Sequence, residues 1–211
     1  MFNVSIIGCG KIAIEHLKVI KQINDLYAYS IYSKTNKNCF KLTNKFKIKK
    51  IYNNLEELCN DKNIDCILIL VPAHEMLGVC KRVAKMKKPI FLEKPPGLNY
   101  EEAIKIKKIF NKNSNLNMVG FNRRFYSIFH EGLKILDKKG GIKNILIEGH
   151  EKIWRLNNLN INKKIFKNWE YANSTHTVDL IRFFAGDVKK INVLSDKKNK
   201  VFTSTIKTKN N

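Results

Sequence analysis

The first 120 residues alternate short apolar runs with amphipathic stretches, and this alternation restricts the fold more than any other feature of the chain. One predicted strand ends in CILILV, an uninterrupted apolar run typical of a strand that helices cover on both faces. Strands that alternate with helices form right-handed βαβ units and a parallel sheet. The sequence therefore predicts an α/β fold over residues 1–120, a doubly wound Rossmann domain. Its six predicted strands are 2–7, 27–32, 49–52, 64–71, 89–92 and 116–120.

The pattern changes after Gly120, and residues 121–211 are predicted to form a second domain. A helix over 125–139 is ended by two glycines, and a strand over 142–150 and a polar loop follow. A helix over 172–185 then precedes two strands, 188–194 and 200–207. This mixture predicts a partial α+β domain with an open, mostly antiparallel sheet. Because a turn composition follows the last strand, we expect a chain that is truncated at its C-terminus.

A glycine-rich turn joins the first strand to the first helix, in the sequence VSIIGCGKIA. Gly8 permits a tight turn, Gly10 lets the backbone approach a pyrophosphate, and Ala13 lets the helix pack close to the strand. The pyrophosphate would rest on the first amides of the helix, at Lys11 and Ile12, where the helix dipole favours anions. The pattern predicts a dinucleotide site. The alternative is a turn that persists for structural reasons alone.

The residues after the second strand bear on the choice of cofactor. An NAD site usually has an acidic residue there, which binds the ribose 2′-hydroxyl. This chain has Ser33, Lys34 and Thr35 instead, which offer two hydroxyls and a cation to a 2′-phosphate. The sequence therefore favours NADP over NAD. The alternative is that Lys34 is one more solvated lysine among many.

Three segments together carry a family resemblance: GCGKIA, FLEKPPG at 91–97 and GFNRRF at 120–125. With them the chain resembles the glucose–fructose oxidoreductase, inositol dehydrogenase and rhizopine-catabolism (Gfo/Idh/MocA) family over essentially its whole length. The resemblance implies an NAD(P)-dependent oxidoreductase that acts on a CH–OH group of a sugar, polyol or nucleotide sugar. It also implies that Lys94, beside Glu93, lies near the nicotinamide and the reacting carbon. An ammonium there can stabilise a developing alkoxide.

The segment NSTHTVDLIRFFAG at 173–186 resembles the part of the family's second domain that carries a histidine. The matching residue is His176, a natural acid/base for a substrate hydroxyl. Asp179 lies three residues further along and is expected to orient the ring or to contact substrate. Many family members carry an aspartate four residues before this histidine, whereas this chain has Ala172. The departure leaves open a non-catalytic or vestigial dinucleotide-binding fragment.

Weaker matches add further candidate site residues. Val71, Pro72 and His74 follow the fourth strand, where the family's loop passes the nicotinamide side of the cofactor. His74 is equally placed to cap the next helix. In GFNRRF we expect one arginine, assigned here to Arg123, to face the substrate and the other to be structural.

Composition limits the classes of partner. The net charge of +22 suggests nucleic acid, but only five of the 40 basic residues are arginines, the residue that nucleic-acid sites favour. The five cysteines form no C-x-x-C pair, so neither a metal site nor a disulfide framework is expected. No membrane span or signal peptide is apparent. We therefore expect a cytoplasmic protein with a small-molecule substrate, without nucleic-acid or membrane partners, that forms a homo-oligomer through the sheet of its second domain.

Overall fold

A computed structural model describes residues 1–35, 37–150, 161–196 and 201–209. The chain divides into two compact units, Met1–Gly120 and Phe121–Asn211. Among the described residues, no helix is both long enough and apolar enough to cross a membrane.

The first unit is built on a six-stranded parallel sheet, which confirms the predicted Rossmann architecture. Its strands are β1 (Phe2–Ile7), β2 (Leu26–Tyr32), β3 (Lys50–Ile51), β4 (Cys66–Ile69), β5 (Ile90–Leu92) and β6 (Asn117–Val119). They lie in the order β3-β2-β1-β4-β5-β6. The order reverses between β1 and β4, and a crevice at the carboxyl ends of such strands is where doubly wound proteins bind ligands.

Five helices cover the two faces of this sheet: α1 (Lys11–Ile20), α2 (Lys37–Phe46), α3 (Leu55–Cys59), α4 (Ala73–Val83) and α5 (Tyr100–Lys112). Alternate residues of β1 point to opposite faces, as the period of a strand requires. Ile6 packs with Leu17 of α1 in one buried cluster, whereas Ile7 packs with Met76 of α4 in the other. The two clusters fix α1 and α4 on either side of the crevice between β1 and β4.

The Asp61 carboxylate anchors the edge of the sheet away from this crevice. Its donors are the hydroxyls of Tyr29 and Tyr52, the Lys50 ammonium and the Asn63 amide. Burial alone would raise the pKa of the Asp61 carboxyl, but these hydrogen bonds together hold the pKa well below its usual range.

We predict a pH-dependent loss of stability from Asp61→Asn. A carboxyl with a lowered folded-state pKa stabilises the protein above its unfolded pKa, near 4, and this contribution disappears as the pH falls through the folded pKa. Urea unfolding at pH 7 should show the variant less stable by about 1–3 kcal/mol, with the difference shrinking below about pH 4. A difference that is constant with pH would contradict this assignment.

The second unit combines helices with a two-stranded antiparallel sheet. After a 3₁₀ helix (Asn122–Phe125) come α6 (Ser127–Asp137), α7 (Lys163–Lys167), α8 (Trp169–Ala185), β7 (Val188–Asp196) and β8 (Val201–Thr208). The predicted strand over 142–150 is wrong, because these residues have no regular secondary structure. Alternation alone does not make a strand, which also needs a neighbour for its backbone hydrogen bonds. The predicted polar loop, residues 153–169, contains α7, and its residues 153–160 lie outside the described part of the chain.

Candidate functional site

A cavity of about 960 Å³ opens at the carboxyl ends of the central strands of the first unit. It brings together eleven of the residues singled out from the sequence: Gly8, Gly10, Ile12, Ser33, Lys34, Thr35, Val71, Pro72, His74, Glu93 and Lys94. Lys11 opens α1 but is exposed and is not part of the described lining. The cavity therefore unites the glycine turn, the end of β2, the loop after β4 and the segment after β5.

The glycine turn has two glycines with different structural roles. Gly8 has a φ of +112°, and a Cβ atom on it would lie 2.5 Å from the carbonyl oxygen of Leu70. Gly10 has an extended backbone, with φ −77° and ψ −176°, and a Cβ atom there would meet nothing within 4 Å. Gly8 is thus required by the protein itself, whereas Gly10 leaves open space in the cavity.

The start of α1 is suited to an anion. No side chain caps this end of the helix, and its first turn contains no acidic residue. Cys9 lies between the two glycines and lines the cavity. Burial, together with a hydrogen bond to Cys39, raises the pKa of the Cys9 thiol, so the thiol is neutral at physiological pH. Neither a carboxylate nor a thiolate in this stretch would repel a phosphate group.

The segment after β5 is held in place from α1. The His16 ring lies with its Nε2 2.8 Å from Oε1 of Glu93, and the backbone amide of Lys94 donates to Oε2 at 3.2 Å. Phe91 packs edge-on against His16, with the ring centroids 5.3 Å apart. The peptide bond between Lys94 and Pro95 is cis. The hydrogen bonds of Glu93 and the ring contact of His16 hold the backbone beside Lys94, which lines the cavity.

The far end of the cavity is bordered by the residues after β2 and by one face of α4. Residues at positions i, i+3, i+4 and i+7 of α4 line it: Glu75, Gly78, Val79 and Arg82. Glu75 accepts a hydrogen bond from the Lys34 ammonium at 2.9 Å. His74 is not the cap of α4, because that position belongs to Pro72. The sequence interpretation missed this helix face, although its spacing of three, four and seven residues is a readable helical signal.

The remaining predicted residues lie in the second unit. His176 is on α8, where its ring packs edge-on against Phe121 with centroids 6.2 Å apart. Asp179, also on α8, accepts two hydrogen bonds from the Arg124 guanidinium, at 2.7 and 2.5 Å. These bonds raise the pKa of Arg124. Arg123 is half-buried in the 3₁₀ helix. Arg124 is therefore an ion-pair partner of Asp179 within the second unit.

Comparison with known proteins identifies the family. Residues 2–121 match the model of the GFO_IDH_MocA group, an oxidoreductase family with an NAD-binding Rossmann fold. The chain belongs to this family. The Gfo/Idh/MocA match includes the glycine turn, the end of β2 and Lys94.

The chain is similar to individual relatives in sequence and to solved structures in fold. The chain is 30% identical over 123 residues to a myo-inositol 2-dehydrogenase of Thermotoga maritima, a match over 58% of this chain and 37% of that protein. The WlbA dehydrogenase of Chromobacterium violaceum, solved with NADH and UDP-GlcNAcA, superposes with a TM-score of 0.79 at 14% identity. That superposition covers 99% of this chain and 64% of the WlbA chain.

A second solved structure, a scyllo-inositol dehydrogenase of Lactobacillus casei with NAD(H) and scyllo-inositol, gives a TM-score of 0.74 at 19% identity. The match covers 95% of this chain and 61% of the other. At these identities the two structures show a shared fold. The chain spans less than two thirds of the length of these relatives.

The contact between His16 and Glu93 yields a stability prediction for this Gfo/Idh/MocA chain. Replacing His16 with alanine should lower the free energy of unfolding by about 1–2 kcal/mol, because it removes a hydrogen bond to a partly buried carboxylate. Urea unfolding monitored by circular dichroism measures this. Lys18→Ala, on the same helix, breaks an exposed pair with Glu15 and should cost less than about 0.5 kcal/mol. Equal losses in both variants would contradict a specific role for His16.

Proposed function

We propose that the chain is an NAD(P)-dependent oxidoreductase that moves a hydride between a nicotinamide nucleotide and a hydroxyl-bearing carbon of a sugar, polyol or nucleotide sugar. The observation that carries this proposal is the single cavity that contains both the glycine turn and Lys94. A dinucleotide that lies with its pyrophosphate on α1 would extend along the carboxyl edge of the sheet. Its nicotinamide end would then reach the segment after β5.

The cavity fits such a cofactor in three respects. Gly10 leaves room for close approach of a pyrophosphate, the start of α1 is free of acidic residues, and the Cys9 thiol is neutral. Gly8, Lys11 and Ile12 complete the proposed pyrophosphate site. We propose NADP as the preferred cofactor, with NAD as the alternative. Support for NADP comes from Ser33, Lys34 and Thr35, which offer hydroxyls and a cation to a 2′-phosphate.

Lys94 and His176 are the proposed catalytic residues. The nicotinamide, when bound, supplies or accepts the hydride. Lys94 would donate a hydrogen bond to the substrate oxygen and stabilise negative charge that develops on it. His176 would take the hydroxyl proton during oxidation and return it during reduction. Further proposed contacts to the cofactor are Val71, Pro72, His74 and Glu93, and Arg123 is a further proposed contact to the substrate. Asp179 is not among them, because both of its carboxylate oxygens bind Arg124.

The alternative is a protein that binds a dinucleotide but has no activity, and the alanine at position 172 favours this alternative. A measurement of turnover distinguishes the two. The test incubates the chain with NADP or NAD and a panel of inositols, aldoses and nucleotide sugars, and follows reduced nicotinamide by absorbance. The proposal predicts turnover of at least one hydroxyl compound, with activity reduced by about 10²–10⁴-fold in His176→Asn. Cofactor binding without turnover of any compound, in either direction, would favour the non-catalytic alternative.

The second unit is proposed to pair with another copy of the chain. Val193, Leu194 and Phe202 of β7 and β8 are exposed to solvent. An exposed sheet with apolar residues tends to pair with another chain, and a second copy is the commonest partner. Light scattering should therefore report a homo-oligomer.

The proposed location is the cytoplasm. The five free cysteines suit its reducing conditions.

A further inference from the structure

An ion pair joins the two elements that border one end of the cavity. Lys34 follows β2 and Glu75 lies in the first turn of α4, and their side chains meet at 2.9 Å. We infer that Glu75 is a specificity-determining residue, which lowers the affinity of the cavity for a 2′-phosphate and so moves its preference from NADP toward NAD. The inference rests on the proposed cofactor function. It adds a determinant of cofactor preference that lies outside the residues after β2.

The position of Glu75 supports this role. It lines the cavity on the same helix face as Gly78 and Arg82. A Cβ atom on Gly78 would meet nothing within 4 Å, so there is open space one helical turn beyond Glu75. In doubly wound dinucleotide sites the residues after the second strand contact the adenosine ribose. Glu75 therefore lies across the cavity from the residues that are expected to contact the ribose. The open space at Gly78, next to it on α4, could hold the adenosine.

Charge gives the direction of the effect. Binding of NADP through Lys34 would require the ammonium to leave Glu75 or to divide its three donors between the carboxylate and the phosphate. It would also bring a phosphate with a charge near −2 close to a carboxylate. The Glu75 side chain is only 22% exposed, compared with 67% for Lys34, so solvent screens its charge less. NAD carries a hydroxyl at the same position, which leaves the ion pair intact and can donate a hydrogen bond to the carboxylate.

The other charged or titratable groups on this part of α4, His74 and Arg82, are not acidic and so cannot repel a phosphate as Glu75 does. His74 has its Nε2 3.9 Å from the same carboxylate oxygen. Arg82 lines the cavity and is a second cation on this face of α4. When the carboxylate is removed, the Lys34 ammonium can direct all of its donors to a 2′-phosphate. The substitution Glu75→Gln keeps the size of the side chain and removes only its charge, so it isolates this effect.

The experiment titrates the full chain with NADPH and with NADH and compares the two dissociation constants. In Glu75→Gln we expect the ratio of the NADH to the NADPH constant to rise about three- to tenfold, through tighter binding of NADPH. Glu15→Gln is the matched control, because Glu15 also pairs with a lysine at 2.9 Å but is outside the described cavity lining. Its ratio should equal that of the wild-type chain.

A second variant shows whether Lys34 carries the effect. In a Lys34→Ala background, Glu75→Gln should change the ratio less than it does in the wild-type chain, because no ammonium is then released to the phosphate. If both nucleotides bind and Glu75→Gln leaves the ratio unchanged, the inference is overturned while the proposed function stands. If neither nucleotide binds the wild-type chain, the proposed function fails, and the inference fails with it.

Discussion

Replacing Gly10 with alanine should weaken the binding of NADPH and NADH by about two orders of magnitude without destabilising the protein. The backbone at Gly10 is extended, a conformation that alanine adopts without strain, and its methyl group would contact no protein atom. The free energy of unfolding should therefore stay within about 0.5 kcal/mol of wild type. The methyl group would instead occupy the space through which a pyrophosphate approaches the backbone.

Gly8→Ala is the matched comparison, two residues earlier in the same turn. Its positive φ and the approach of its Cβ position to the Leu70 carbonyl make alanine unfavourable whether or not a ligand is bound. Backbone strain and overpacking should together cost about 2–5 kcal/mol. Chemical denaturation and nucleotide titration of both variants separate the two roles. If Gly10→Ala bound nucleotide as the wild-type chain does, the proposed pyrophosphate position would be wrong.

Replacing Lys94 with methionine should lower kcat by about 10²–10³-fold on any substrate that the wild-type chain turns over. Methionine is similar in length to the apolar part of lysine but has no ammonium to stabilise charge on the substrate oxygen. Because the proposed role of Lys94 is at the reacting carbon, the dissociation constant for NADPH should change less than about threefold. Steady-state kinetics and nucleotide titration of the same preparation measure both quantities.

Two controls make the Lys94 prediction specific. Lys88→Met makes the same replacement just before β5, at a residue outside the described cavity lining, and should leave kcat unchanged. Lys94→Arg retains the positive charge and should recover part of the activity lost in Lys94→Met. A Lys94→Met variant with wild-type kcat would remove this residue from the mechanism.

Local patterns predict the first unit well. The strand 2–7 and the turn at Gly8 and Gly10 are encoded within a few residues, and the structure has β1 at the same bounds. The segment 142–150 is predicted as a strand from its pattern of apolar and polar residues but forms no strand. The difference is that β1 lies between two partner strands, β2 and β4, whereas alternation alone carries no information about a partner.

The contacts that tune the site could not be predicted from the sequence, because the fold brings distant residues together. His16 and Glu93 are 77 residues apart, and Lys34 and Glu75 are 41 apart. Spacing along α8 suggested that Asp179 would serve His176, but its carboxylate binds Arg124, which is 55 residues away. Residue type and helical spacing indicate which side chains share a face of an element, whereas their partners depend on the packing between elements.

The proposed cofactor site is tested most directly by titrating the purified chain with NADPH and with NADH and monitoring nicotinamide fluorescence. We expect saturable binding, with NADPH bound more tightly than NADH, and binding weaker by about two orders of magnitude in Gly10→Ala. A flat signal with both nucleotides, from a chain that circular dichroism shows to be folded, would contradict the claim that this cavity binds a nicotinamide cofactor.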